Sequence, residues 1–213
     1  MARHGALGRD SADGSPAGTS PEATIRPLVA LPGLGRAQRQ PCPPPHPEAA
    51  GLGQLVLPGA VCLDVGGGCP TCTAALSALA GPEGRVHRLA APDRLDEAAT
   101  VDEFCRQADL ARVDFIKAEF GADELGLLLG AFGTLLRDRP TLLLRWRRRC
   151  PDPRRTADAV RGLTASLSYT MHGWQEGEWR QVTGVVRGWG GFLFRPCPTP
   201  CRLAPERVDY VHV

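Results

Sequence analysis

Up to about residue 50 the chain shows no sustained apolar repeat of 2 or 3.6 residues, and from Leu55 onward short apolar runs alternate with segments at helical spacing. That alternation predicts strands at Val61 to Val65, Arg85 to Ala91, Val113 to Phe120 and Thr141 to Trp146. Between and after them it predicts helices at Thr71 to Ala80, Thr100 to Leu110, Glu124 to Arg137 and Thr156 to Leu167. The third strand is apolar on both faces, as a central strand of a parallel sheet must be. Trp179 to Val186 and Gly191 to Phe194, joined by the glycine-rich RGWG, predict an antiparallel hairpin at one edge of the sheet, and Val208 to Val213 a further short strand. The fold class expected is α/β, a Rossmann-like, mostly parallel sheet with an antiparallel edge hairpin.

The segment before Leu55 is rich in Gly, Pro, Ser and Ala and includes PCPPPHP at Pro41 to Pro47. Such a composition buries too little apolar surface to offset its ordering entropy, so residues 1–50 are expected to form a disordered tail and 51–213 a single domain. The 213 residues carry a formal net charge of +2, too mild to imply a nucleic-acid partner. The longest apolar stretch, Leu125 to Leu136, is broken by glycines and falls short of the roughly 20 residues that a membrane span requires. Eight cysteines are too few for a disulfide scaffold in a chain of this size, and no charged then apolar leader opens the sequence. A reducing, cytoplasmic location is therefore expected.

Gly59 to Ala80, GAVCLDVGGGCPTCTAALSALA, reads as strand, tight glycine turn and helix. In that order, backbone amides and a helix N-terminus face the space beyond the strand, which suits a nucleotide-like cofactor. The segment Thr100 to Arg145, TVDEFCRQADLARVDFIKAEFGADELGLLLGAFGTLLRDRPTLLLR, narrows this reading. Together with DVGGG, it resembles the FkbM-like family of S-adenosylmethionine-dependent methyltransferases over about the central two-fifths of the chain. In that family a T-[LV]-D-x-F-C helix leads to a strand ending I-K-[IL]-D-V-E-G-x-E, and a helix L-x-x-L-x-G-A and a strand R-P-x-[LV]-L-[LV]-E follow.

The resemblance implies a class I methyltransferase fold and S-adenosylmethionine as cofactor. It places Asp64, Gly66, Gly67 and Gly68 in the cofactor loop, with Asp93 as a substitute ribose-binding carboxylate. Lys117, Glu119 and Glu124 take the catalytic positions, the carboxylates helping to remove the acceptor's proton and Lys117 orienting the acceptor. The activity implied is methyl transfer to a hydroxyl of a small molecule or glycan.

Four positions depart from the family pattern. Pro70 stands for the last glycine of the loop, at a first helical position where proline is tolerated. Ala91 stands where an acidic residue would hold the ribose, a loss of roughly 1.5 to 3 kcal/mol for each charge-assisted hydrogen bond. The link DRLDEAA replaces a whole edge strand and helix, and Arg145 replaces a glutamate. These departures keep open a second reading, a catalytically degenerate methyltransferase-like binding or scaffold protein.

Other signals add alternatives. Cys69 and Cys72 form a CxxC at a helix start, a setting that lowers thiol pKa values, and with Cys197 and Cys201 they would supply four thiolates for zinc; plain packing is the simpler reading. RWRRR at Arg145 to Arg149 reads as a solvated strand end. His172 receives no role.

Overall fold

The computed structural model describes residues 47–66, 69–89, 100–120, 124–146, 153–184 and 191–198. The elements are a 3₁₀-helix at Pro47–Gln54, then β1 (Val61–Val65), α1 (Pro70–Ala80), β2 (Arg85–Leu89), α2 (Val101–Gln107) and β3 (Phe115–Phe120). They continue with α3 (Glu124–Gly130), α4 (Phe132–Arg137), β4 (Thr141–Trp146), α5 (Pro153–Ser166), β5 (Tyr169–Gln175), β6 (Glu178–Gln181) and β7 (Gly191–Pro196).

The strands form one sheet in the order β2-β1-β3-β4-β7-β5-β6. Neighbours from β2 to β4 pair in parallel, whereas β7 runs antiparallel to both β4 and β5. One sheet face carries Leu63, Val65, Ile116, Ala118, Leu142 and Leu144, packed against Phe104, Leu128, Leu135 and Val160 of the helices α2 to α5. The opposite face carries Cys62, Val86, Phe115 and Leu143 under α1 and the 3₁₀-helix, through Leu52, Leu76 and Ala80. Burial on both faces explains the apolar runs 61–63 of β1 and 142–144 of β4.

Two sequence expectations change. The hairpin expected between Trp179 to Val186 and Gly191 to Phe194 is not formed, because β5 lies between β6 and β7 and pairs with both. The edge hairpin is β5–β6 instead, closed by Glu176 at φ 49° and Gly177 at φ 87°, the two positive angles of a type I′ turn. The single helix expected from Glu124 to Arg137 breaks at Ala131. There Gly130 packs against Thr100, and the Asp102 carboxylate accepts from the Gly133 and Thr134 amides at 2.8 and 2.7 Å, starting a new helix. Residues 208–213 and the RGWG link lie outside the described residues.

Candidate functional site

The chain leaves β1 for β2 on one side and returns to β3 on the other, so the sheet has its switch point at the carboxyl ends of β1 and β3. Open α/β sheets bind ligands there. Gly66, directly after β1, has φ 70°, and its N–H donates to the Leu89 carbonyl at 2.8 Å, turning the chain over the end of β2. This left-handed conformation is one that glycine reaches without cost. Pro70 opens α1, and the Cys69 Sγ accepts from the Cys72 N–H at 3.3 Å, so the Cys69 sulfur caps the helix.

Beneath this helix start lies a buried ladder of charge. Asp64 and Lys117 are register partners across β1 and β3, and Glu119 and Arg145 are partners across β3 and β4. Alternation along β3 sets Lys117 and Glu119 on the same face, the one covered by α1. The Asp64 carboxylate accepts from the Thr73 hydroxyl of α1 at 2.6 Å and from the Lys117 ammonium at 3.1 Å. Lys117 Nζ also lies 3.6 Å from Glu119 Oε2, and Arg145 lies 3.5 Å from Glu119 Oε1. Asp64 and Lys117 are 0 % and 1 % exposed, and Glu119 and Arg145 are both 8 % exposed. Two acids and two bases thus alternate and neutralise one another, which is the condition for keeping ions out of water.

The ladder gives the sequence-predicted residues different positions. Asp64 sits below the cofactor loop with its two oxygens engaged, tying the start of α1 to β3. Lys117 is enclosed between two carboxylates. Glu119 stands nearest the strand end, bound to Arg145, the residue that reverses the family's charge. Glu124 opens α3. Gly67, Gly68, Asp93 and Ala91 lie outside the described residues.

The cysteines lose their catalytic and zinc readings. Cys69 is disulfide-bonded, and its partner is not Cys72, which is a free thiol. Burial pushes the Cys72 thiol above its ordinary range despite the opposing pull of Lys117, so the helix N-terminus does not activate it. Cys197 follows β7, whose antiparallel course ends beside the start of β4, at the opposite end of the strands from the N-terminus of α1, so CxxC and Cys197 cannot share a metal. Among the described residues no three His, Cys, Asp or Glu side chains form a metal-holding group, and no helix is long and apolar enough to cross a membrane.

No protein-family model matches the chain, and no curated protein matches it. Two solved structures are similar in outline. One is a release-factor-specific protein-(glutamine-N5) methyltransferase from Alicyclobacillus acidocaldarius, with 13 % identity and a TM-score of 0.44, covering 74 % of this chain and 99 % of its own. The other is an S-adenosylmethionine-dependent O-methyltransferase from Thermotoga maritima, with 13 % identity and a TM-score of 0.44, covering 76 % of this chain and 69 % of its own.

The fold is α/β and Rossmann-like, a mostly parallel seven-stranded sheet with an antiparallel edge hairpin. Its identification stands on the strand order: the parallel set β2-β1-β3-β4, with the last strand slotted antiparallel between β4 and β5. What sequence reasoning missed was Arg145 as a partner of Glu119 and Thr73 as the clamp on Asp64. The signal for the first was the equal distance of Glu119 and Arg145 from their strand starts; Thr73 carried no signal of its own.

Proposed function

We propose that the chain binds S-adenosylmethionine at the carboxyl ends of β1 and β3 and transfers its methyl group to a hydroxyl oxygen of a small molecule or glycan. The observation that carries this reading is Gly66 at φ 70°, turning at the switch point directly before the N-terminus of α1. A backbone free of Cβ there admits close approach of the methionine part of the cofactor. The residues present fit that group through backbone rather than through Asp64, whose carboxylate is already engaged. The motifs from Thr100 to Arg145 supply the choice of cofactor.

When bound, S-adenosylmethionine supplies an electrophilic methyl, so the protein's task is to place the acceptor in line and to help remove its proton. Glu119, the penultimate residue of β3, and Glu124, the first of α3, are the acids assigned to proton removal. Lys117 acts through Glu119 and Asp64, holding β1, β3 and α1 in one arrangement. It is a positioning residue in this reading. A cytoplasmic site of action belongs to the same proposal.

Isothermal titration with S-adenosylmethionine tests the reading: saturable heat is expected in the intact chain and its loss in Gly66→Val, while no heat at millimolar cofactor would refute it. The ion pair between Glu119 and Arg145 favours the second reading, a binding module without turnover, because it engages the proposed base. Cofactor binding with no methyl transfer to any hydroxyl acceptor, and none gained in Arg145→Glu, decides for that second reading.

A further inference from the structure

Far from the switch point, the sheet carries an open cavity of about 500 Å³ lined by Thr170, His172, Gln181, Arg195, Pro196, Cys197 and Pro198. It lies at the start of β5 and the end of β7. The register pairs Thr170 with Arg195 and His172 with Gln181, so strand alternation gathers these polar side chains on the face opposite Tyr169 and Met171. No carboxylate lines the cavity among the described residues. His172 Nδ1 is enclosed and makes no hydrogen bond there. The Thr170 hydroxyl donates to the Arg195 carbonyl at 3.3 Å, which leaves a guanidinium, an imidazole and a side-chain amide as donors around one space.

We propose that this cavity binds a small oxyanion, the phosphate, sulfate or carboxylate group of a metabolite, with Arg195 as its counter-charge and His172 as a second donor. A guanidinium facing this space without an acid has no counter-charge until an anion enters, and its planar fork matches an oxyanion in two bonds. The imidazole is held below its ordinary range by burial and by the Arg195 charge, while backbone hydrogen bonds to Thr170 and Leu193 act in the opposite sense. The other nearby charges face elsewhere. Arg180 pairs with Glu176 and Glu178 on the far face, and Arg139 is spent on the Leu167, Ser168 and Cys197 carbonyls. An entering anion therefore draws a proton onto His172.

The test is a sulfate titration of the full chain, chosen because sulfate keeps its charge across the imidazole range. The His172 resonance, assigned with His172→Gln, is followed by NMR. Saturable binding is expected, with the His172 titration moved to higher pH and affinity about tenfold greater near pH 5.5 than near pH 8. Arg195→Gln is expected to lower the affinity by about tenfold or more with its thermal midpoint little changed. Acetate competing with sulfate identifies a carboxylate ligand, and phosphate alone competing identifies a phosphate. A His172 resonance that sulfate leaves unmoved overturns the proposal even if Arg195→Gln fails to fold, and equal binding by a folded Arg195→Gln overturns it as well.

Discussion

At the residue scale the ladder Asp64–Lys117–Glu119–Arg145 dominates, because each of its members is an ion removed from water. Deleting one partner leaves the others uncompensated, which typically costs about 3–5 kcal/mol. Lys117→Met is therefore expected to lower the urea midpoint by an amount of that order, whereas Arg106→Met, which breaks the exposed pair with Glu103, leaves it nearly unchanged. A wholly catalytic lysine would show the reverse, with activity lost and stability kept.

Cys62 supplies a second residue-scale prediction. Burial, and then the Asp114 and Asp64 charges, push its thiol up to about 12. Because a raised thiol stays protonated until pH approaches that value, native Cys62 is expected to resist alkylation near pH 8 and to react once the chain is unfolded in urea, read by mass spectrometry. Rapid labelling in the native state would contradict the packing described.

At the scale of elements, Asp102 joins two helices. It sits in the first turn of α2 and caps α4 through the Gly133 and Thr134 amides and the Thr134 hydroxyl. Asp102→Ala is expected to cost about 0.5–2 kcal/mol in urea unfolding, with hydrogen exchange quickened in residues 132–137 before the rest of the chain. An unchanged exchange pattern would remove the capping role.

Part of this region was legible beforehand. Thr100 followed three residues later by Glu103 is a capping-box pattern, and the Thr100 hydroxyl accepts from the Glu103 amide at 3.1 Å, while Val101, Phe104 and Cys105, at helical spacing, are buried. The Glu103 side chain does not complete the box, since it bonds Arg106 and Gln107 instead. The break at Ala131 was not legible, because the leucines keep helical spacing across it. Only the carboxylate from another helix makes a second N-terminus at that point.

At the scale of the molecule, the 3₁₀-helix closes one layer onto the far edge of the sheet. Gly51 lies against Trp174 and Trp179, whose rings meet edge to face at 5.1 Å, and the Trp179 indole donates to the Gly51 carbonyl at 3.4 Å. A side chain at Gly51 has no room there, so Gly51→Leu is expected to free both indoles, shift tryptophan fluorescence to longer wavelength and lower the thermal midpoint. An unchanged spectrum would show that this contact does not anchor the helix.

The sequence by itself determined the order of strands and helices from Val61 to Trp146, the glycine turn after β1 and the parallel character of the sheet. Those features rest on local apolar periodicity and on the conformational freedom of single residues. The tertiary structure decided where β7 inserts, which strand completes the edge hairpin, and that Lys117 faces Asp64 and Glu119 rather than solvent. Strand neighbours far apart in the chain are selected by burial of whole faces, a quantity no local pattern encodes. The charge ladder follows from that selection, since register across β1, β3 and β4 alone brings its four members together.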